Sequence, residues 1–108
     1  MADAYHIGEF EQLVLLASLR LEETAYGIEI RRVLQEEGQR SVSRGALYKT
    51  LDRLCDKHML EWEVSDSTPE RGGLPRRRFR VTPDGVTALR RSKQTLARLW
   101  DGLEEVLG

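Results

Sequence analysis

Five arginines lie within the ten residues 71–80, RGGLPRRRFR, beside two glycines and a proline. A guanidinium group binds a phosphate through two parallel hydrogen bonds, and it also enters a narrow minor groove of DNA. Glycine and proline let a backbone approach a phosphate and keep strand hydrogen bonds out of a loop. The composition therefore indicates a loop that binds a phosphate backbone. The alternative is a solvated basic edge strand that discourages aggregation.

This positive charge is local, because the 108-residue chain has a net charge of only −1. Residues 71–98 contain nine bases and one acid, and residues 38–60 contain five bases and two acids. Between them, residues 61–70 contain four acids and no base. A polyanion responds to local potential rather than to net charge, so two basic segments favour nucleic-acid binding.

Length and composition exclude several other classes of protein. A chain of this size forms one domain, and no apolar run approaches the roughly 18 residues of a membrane span. The N-terminus lacks the basic and apolar regions of a signal peptide, and a single cysteine fits a cytoplasmic protein. No nucleophile elbow, phosphate-binding glycine motif or metal-ligand spacing occurs. The sequence predicts no enzyme, no cofactor and no metal site.

Three helices precede the arginine cluster. Residues Glu9–Leu21 have apolar side chains at helical spacing, with Leu16 and Leu19 widening the buried face. A second helix follows, for which Thr24 is the predicted N-cap and Gly38 the left-handed residue at the end. A third opens with Ser43 as N-cap. Its predicted inner face contains Leu47, Leu51, Leu54 and Cys55, and its outer face contains Arg44, Tyr48, Lys49, Asp52, Arg53 and Asp56.

The apolar period then changes from 3.6 to 2. Leu60, Trp62 and Val64 alternate with polar residues and predict a half-buried strand. The run RRRFRVT alternates again and predicts a second strand, with Phe79 and Val81 on one face and Arg78 and Arg80 on the other. Thr82 as N-cap and Pro83 after it start a last helix that runs to the C-terminus. The order predicts a mainly α fold with a β-hairpin wing, a winged helix-turn-helix. Residues 1–82 form the DNA-binding domain and 83–108 a C-terminal dimerisation helix.

A winged helix inserts one helix into the major groove and lays its hairpin along the DNA backbone or in the minor groove. Arg44 and Lys49 are the candidates for base edges, because they point outward near the end of the helix that enters the groove. Ser43 caps the helix and contacts a phosphate, and Gly45 lets the backbone approach the DNA. The wing residues expected on phosphates are Arg71, Arg76, Arg77 and Arg78.

Other candidate residues have two interpretations each. Tyr48 either donates its hydroxyl to a phosphate or lies half-buried against the second helix. Tyr26 and Gly27 open that helix, whose amides hold a phosphate, whereas the alternative places Tyr26 in the core. Arg53 contacts DNA or pairs with an aspartate of its own helix. Cys55 is a small core residue, with a redox sensor as the less favoured alternative.

The residues of the last helix include a heptad pattern of mainly apolar side chains, which predicts that this helix packs against another helix. We expect it to pack on a second copy of the chain, whereas the alternative is that it folds back on the first helix; both are expected together, with Phe10 in the interface. Trp100 either fills the dimer core or forms the floor of a site for a small aromatic effector. The seam comprises Val86, Leu89, Lys93, Leu96, Trp100, Leu103 and Leu107.

Three segments resemble the PadR-like family of winged-helix transcriptional regulators: LVLLASLRLEETAYGIEIRRVL, VSRGALYKTLDRLCDKHML and TPERGGLPRRRFRVTPDG. The resemblance runs from about Gly8 to Ala88. It implies a repressor that binds double-stranded DNA as a dimer and often responds to a small ligand or stress. His58 stands where the family commonly has glycine. Histidine tolerates a left-handed backbone better than most residues, so we expect the turn to be kept. Arg78 stands where an aromatic residue is common.

A second class of function stays open from the sequence. A winged helix also serves as a protein–protein adaptor or antirepressor, and the arginines would then meet an acidic partner. Duplex DNA binding with a steep salt dependence distinguishes the two, because counterion release requires many phosphate contacts.

Overall fold

A computed structural model describes residues 6–65 and 75–108 of the chain. The elements are α1 (Glu9–Leu21), α2 (Gly27–Glu36), α3 (Arg44–Asp56), β1 (Leu60–Val64), β2 (Arg77–Val81), α4 (Pro83–Trp100) and α5 (Glu104–Leu107). Their order confirms the predicted winged helix, with the short α5 added at the end. The core forms where α1, α2 and α3 meet the hairpin, around the buried side chains of Leu15, Ile30, Leu51 and Phe79.

The first helix has the predicted bounds. The amide of Gly8 donates to the carboxylate of Glu11 at 2.8 Å, which satisfies one of the free amides at the helix start. Leu16 and Leu19, predicted to widen the buried face, are instead 47% and 42% exposed. Both residues belong to an apolar strip on α1 that residues 6–65 and 75–108 leave exposed.

The second helix starts later than predicted. Thr24 is not its N-cap but ends a single 3-10 turn, and its hydroxyl donates to the Leu21 carbonyl at 2.7 Å. The helix begins at Gly27 because Tyr26 before it is extended and the carbonyl of Ala25 is held outside the helix, where it accepts from the amide of Phe79 at 2.9 Å. The predicted end was also wrong by one position, since the left-handed residue is Gln39, with φ 51°, and not Gly38.

The third helix begins as predicted. The Ser43 hydroxyl accepts a hydrogen bond from the Ala46 amide at 3.1 Å, as an N-cap does. Beyond the helix, His58 has φ 62°, the left-handed conformation expected where glycine is replaced. This turn leads directly into β1.

The hairpin is antiparallel, with Leu60 opposite Val81 and Val64 opposite Arg77. The prediction of a half-buried first strand holds only for Leu60, because Trp62 is 46% and Val64 60% exposed. Leu60 packs into the core, whereas the rest of β1 is exposed. Most of the predicted wing tip, including Arg71, lies outside the described residues.

The last helix begins as predicted, with the Thr82 hydroxyl accepting from the Gly85 amide at 3.1 Å and Pro83 following it. It does not continue to the C-terminus. Gly102 has φ +85°, a left-handed conformation that ends α4 at Trp100. The predicted heptad seam is therefore interrupted, and Leu103 and Leu107 lie beyond the break.

Candidate nucleic-acid interface

The N-terminal half of α3 presents an open polar surface. Ser43, Arg44, Gly45 and Lys49 are all exposed. A β-carbon added at Gly45 would meet no neighbouring heavy atom within 4 Å, so no described part of the chain covers the backbone there. A helix start with exposed cations and bare backbone suits a close approach to DNA.

Tyr48 lies at the junction of α3 with the start of α2. The residue is half-buried, and the position that a β-carbon would take on Gly27 lies 2.7 Å from its ring carbon Cζ. The guanidinium of Arg44 lies 5.6 Å from the centre of the ring. Tyr48 therefore packs against the second helix, and its hydroxyl lies beside the amide end of α2.

Tyr26 is the N-cap residue of α2 and is half-buried, while Gly27 is buried. The guanidinium of Arg76 lies only 3.5 Å from the centre of the Tyr26 ring, a close cation–π contact. The backbone of Tyr26 also forms an isolated bridge with Arg78 of β2. The start of α2, the second turn of α3 and the base of the wing are thus brought together.

The described wing arginines differ in their surroundings. Arg78 pairs with Glu63 across the hairpin. The Arg78 guanidinium lowers the pKa of the Glu63 carboxyl, and the Glu63 carboxylate raises the pKa of Arg78. Arg80 pairs with Glu61 in the same way, at 2.8 Å through Nε. Arg77 points toward α3, where its Nη1 lies 3.3 Å from the Asp52 carboxylate. Cross-strand pairs between glutamates of β1 and arginines of β2 follow from the antiparallel register.

Asp52, one of the two aspartates considered for Arg53, is therefore occupied by Arg77. Arg53 itself is exposed on the outer face of α3. Sequence reasoning did not find the link between Asp52 and Arg77, nor the exposed ring of Trp62 beside Arg77. Residue types alone do not predict the contacts of Arg77 with Asp52 and Trp62, because both contacts depend on how the hairpin packs against α3.

A nearly buried ion pair joins α1 to the end of α3. The Glu11 side chain is 8% exposed, and the Lys57 ammonium donates to its two carboxylate oxygens at 3.0 Å and 2.8 Å. Burial acts to raise the pKa of Glu11, but hydrogen bonds from Lys57 and the Gly8 amide outweigh it and hold the pKa below its ordinary value. This pair links the end of α3 to α1.

Cys55 is half-buried on the inner side of α3. Burial raises the pKa of its thiol, and the charge of Arg77 opposes that effect without reversing it. A thiol with a raised pKa is mostly protonated near neutral pH, and protonated thiols react slowly. The environment fits the core interpretation of Cys55.

The predicted dimerisation residues fall into two groups. Phe10 and Leu89 are half-buried, with the Arg40 guanidinium 6.0 Å from the centre of the Phe10 ring. The other group is exposed and lies on the outer part of α4 and beyond it. Its members are Lys93, Leu96, Trp100, Leu103 and Leu107.

The fold resembles those of several solved regulators. A PadR-like transcription factor from Bacteroides fragilis shares 28% identity at a TM-score of 0.72, covering 90% of this chain and 88% of that chain. A PadR family regulator from Eggerthella lenta shares 29% identity at 0.69, covering 92% and 86%. One from Bacillus cereus shares 26% identity at 0.72, covering 91% and 90%. Comparison with curated proteins gave no significant match.

None of the helices within residues 6–65 and 75–108 is long and apolar enough to cross a membrane.

Residues 15–91 match the model of the transcriptional regulator PadR-like family, and the matched range includes α3 and the hairpin. On the strength of that match, supported by the structural likenesses, the chain belongs to the PadR-like family of transcriptional regulators.

Proposed function

We propose that this protein binds a specific duplex DNA site as a homodimer and represses transcription. The observation that carries the proposal is the surface formed by the start of α3 and the base of the wing. Exposed Arg44, Gly45 and Lys49 lie on α3, which also contacts the hairpin through Tyr48 and Asp52. Such a surface can enter a major groove while the wing follows the backbone.

Each residue has a role in this proposal. Arg44 and Lys49 contact base edges, and Ser43 and Arg53 contact phosphates on either side. The start of α2 supplies a further phosphate site, because the Tyr48 hydroxyl lies beside Gly27, its first residue, and can donate to an oxygen bound there. The wing adds affinity that does not depend on sequence, through Arg71, Arg76 and Arg78.

The homodimer is proposed from exposed apolar side chains. On α1, Leu16 and Leu19 are exposed, and the end of the chain adds Leu96 at 49%, Leu99 at 69% and Trp100 at 52%. Residues 83–108 serve as the dimerisation element, whose first turns rest on residues 1–82 through buried Gly85 and Ala88. Two copies address a pseudo-palindrome with half-sites about one helical turn apart.

We further propose that a small aromatic effector binds the dimer at Trp100 and releases the DNA. The exposed Trp100 indole is flat and amphipathic, and in a dimer it would lie within the interface. The competing role is that Trp100 only fills the dimer core. A cytoplasmic location follows from the proposed target, since the regulator must reach its DNA.

Selection of bound duplexes from a random library, with the pure protein, tests the function. The proposal expects a shared motif with two related halves. Arg44→Ala or Lys49→Ala should relax preference at particular base pairs, at a cost of roughly 1–3 kcal/mol on the best site. Equal losses on all sequences would reassign that side chain to phosphate, and no enrichment of any duplex would contradict the proposal.

A further inference from the structure

Arg77 has surroundings unlike those of the other described wing arginines. Its guanidinium carbon lies 5.0 Å from the centre of the Trp62 ring, 5.1 Å from that of Phe79 and 5.6 Å from that of Tyr48. Its Nη1 lies 3.3 Å from the Asp52 carboxylate. The side chain is 29% exposed. Arg77 therefore contacts the hairpin and the recognition helix at once.

These contacts use the properties that make arginine suitable for a junction between two elements. A guanidinium is planar and weakly hydrated, so it lies against aromatic rings and still donates to a carboxylate at its edge. The Asp52 carboxylate and the three rings together hold the Arg77 guanidinium between the hairpin and α3, whereas the Arg78 guanidinium pairs with Glu63 within the hairpin. A residue in this position is better suited to joining two elements than to binding the DNA backbone.

The ring of Tyr48 is held on a second side by α2. It lies against Gly27, whose missing side chain makes the space that the tyrosine hydroxyl occupies. Arg77 on β2 and Gly27 on α2 therefore hold one side chain of α3. The wing, the recognition helix and the start of the second helix meet at this tyrosine.

We propose that Arg77 is a positioning residue that fixes the angle of the wing against the recognition helix, and that it is not itself a phosphate ligand. The inference rests on the proposed DNA-binding function. Wing and helix must contact the same duplex simultaneously, so a loose junction lowers affinity even when every phosphate-binding side chain remains.

Arg77→Lys separates the two roles because it keeps the charge and removes the planar group. A lysine at a phosphate contact still binds as a point charge, whereas it cannot lie on three rings and donate to Asp52 in the same way. We expect Arg77→Lys and Arg77→Gln both to weaken binding to a duplex selected from a random library, by roughly five- to tenfold. Arg80→Lys, on the opposite face of β2, is the matched control and should bind like the wild type.

A second measurement tests the junction without DNA. In a Trp100→Phe background, Trp62 is the only tryptophan, and its quenching by acrylamide reports the accessibility of the ring. We expect Arg77→Lys to make Trp62 more accessible in the free protein, while Arg80→Lys leaves it unchanged. Thermal unfolding of each variant verifies that it is folded.

The outcomes separate this inference from the function on which it rests. Weaker binding together with a more accessible Trp62 supports the positioning role. Wild-type binding by Arg77→Lys overturns it, and so does weaker binding with unchanged Trp62, which would make Arg77 a direct DNA contact. If the wild type selects no duplex, the proposed function fails, whereas the Trp62 measurement still reports whether the junction exists.

Discussion

The Tyr48 hydroxyl occupies the space beside Gly27 that a β-carbon would need, so the first residue of α2 and the second turn of α3 fit together only with glycine at position 27. The contact places an aromatic hydroxyl beside the amide end of a helix, which is the phosphate site proposed above. The contact between Gly27 and Tyr48 thus helps to set how α2 packs against α3.

Gly27→Ala should destabilise the fold. The added β-carbon would lie 2.7 Å from Tyr48 Cζ and overlap the hydroxyl, so the tyrosine must move. Overpacking of this kind costs about 1–3 kcal/mol in the free energy of unfolding, which urea denaturation measures. A Tyr48→Phe change in the same chain should restore part of that stability by removing the closest atom. Unchanged stability of Gly27→Ala would show that the tyrosine is not held there.

Gly45→Ala should act in the opposite direction on stability. Its β-carbon meets open space, and alanine in place of glycine stabilises a helix by about 0.5–1 kcal/mol. Affinity for the selected duplex should nevertheless fall, because the methyl group separates the helix from DNA. Urea denaturation and equilibrium DNA binding together make the test. A variant that is more stable and binds as tightly as the wild type would show that DNA does not approach this backbone.

The Glu11–Lys57 pair should make stability depend on acid pH. Folding lowers the pKa of Glu11 from 4.5, so its contribution is present above that value and is lost as pH falls through the lower folded pKa. Glu11→Gln should lower the free energy of unfolding at pH 7 by about 1–3 kcal/mol and should flatten its decline at acid pH. Glu9→Gln, at an exposed position on the same helix, is the control. Identical pH profiles for Glu11→Gln and the wild type would exclude the pair as a source of this dependence.

Neutralising Arg76 and Arg78 should weaken binding to selected and random duplexes alike. Contacts with phosphates carry no direct base information, so discrimination between the two duplexes should persist. The logarithmic salt dependence of binding should become less steep by about one unit for each phosphate that the protein no longer neutralises. Fluorescence anisotropy over a range of salt concentrations measures both effects. If Arg76→Gln with Arg78→Gln binds as the wild type does at every salt concentration, the wing does not bind the DNA backbone.

Trp100→Ala should loosen the dimer. A large aromatic residue in an interface commonly contributes enough that its truncation raises the dissociation constant by at least about tenfold. DNA affinity should fall with it, because two half-sites must be bound together. Analytical ultracentrifugation measures the dimer, with Trp62→Phe as the control. A wild-type chain that sediments as a monomer at micromolar concentration would contradict the dimer.

The effector has its own test in the same tryptophan. Planar aromatic compounds should quench the fluorescence of the wild type, and the quenching should largely disappear in Trp100→Phe although Trp62 remains. Absence of quenching by any such compound would leave Trp100 as a residue of the dimer core alone.

Local signals made much of the fold predictable. Ser43 and Thr82 could be predicted as N-caps from sequence, because an N-cap depends only on nearby residues. In the structure each accepts a hydrogen bond from the amide three residues further along the chain. The start of α2 was missed for the opposite reason. It depends on the bond between Ala25 and Phe79, which are far apart in the chain. The break at Gly102 was missed because a regular heptad pattern continued across it.

The candidate site was predictable as a set of residue types but not as an arrangement. The exposed cations of α3 were found from helical periodicity alone. The contact of Arg77 with Asp52 was not, because strand alternation separates Arg77 from Arg78 and Arg80 but only the packing of the hairpin on α3 brings it to Asp52. The exposed faces of Leu16 and Leu19 likewise require a tertiary structure to be seen.

Sequence-specific DNA binding is the central claim, and equilibrium binding to two duplexes tests it most directly. One duplex carries the site selected from a random library, and the other has the same base composition in permuted order. We predict that the protein binds the selected duplex at least about a thousandfold more tightly at physiological salt, and that both affinities fall as salt rises. Equal affinity for the two duplexes, or no binding to either, would contradict the account.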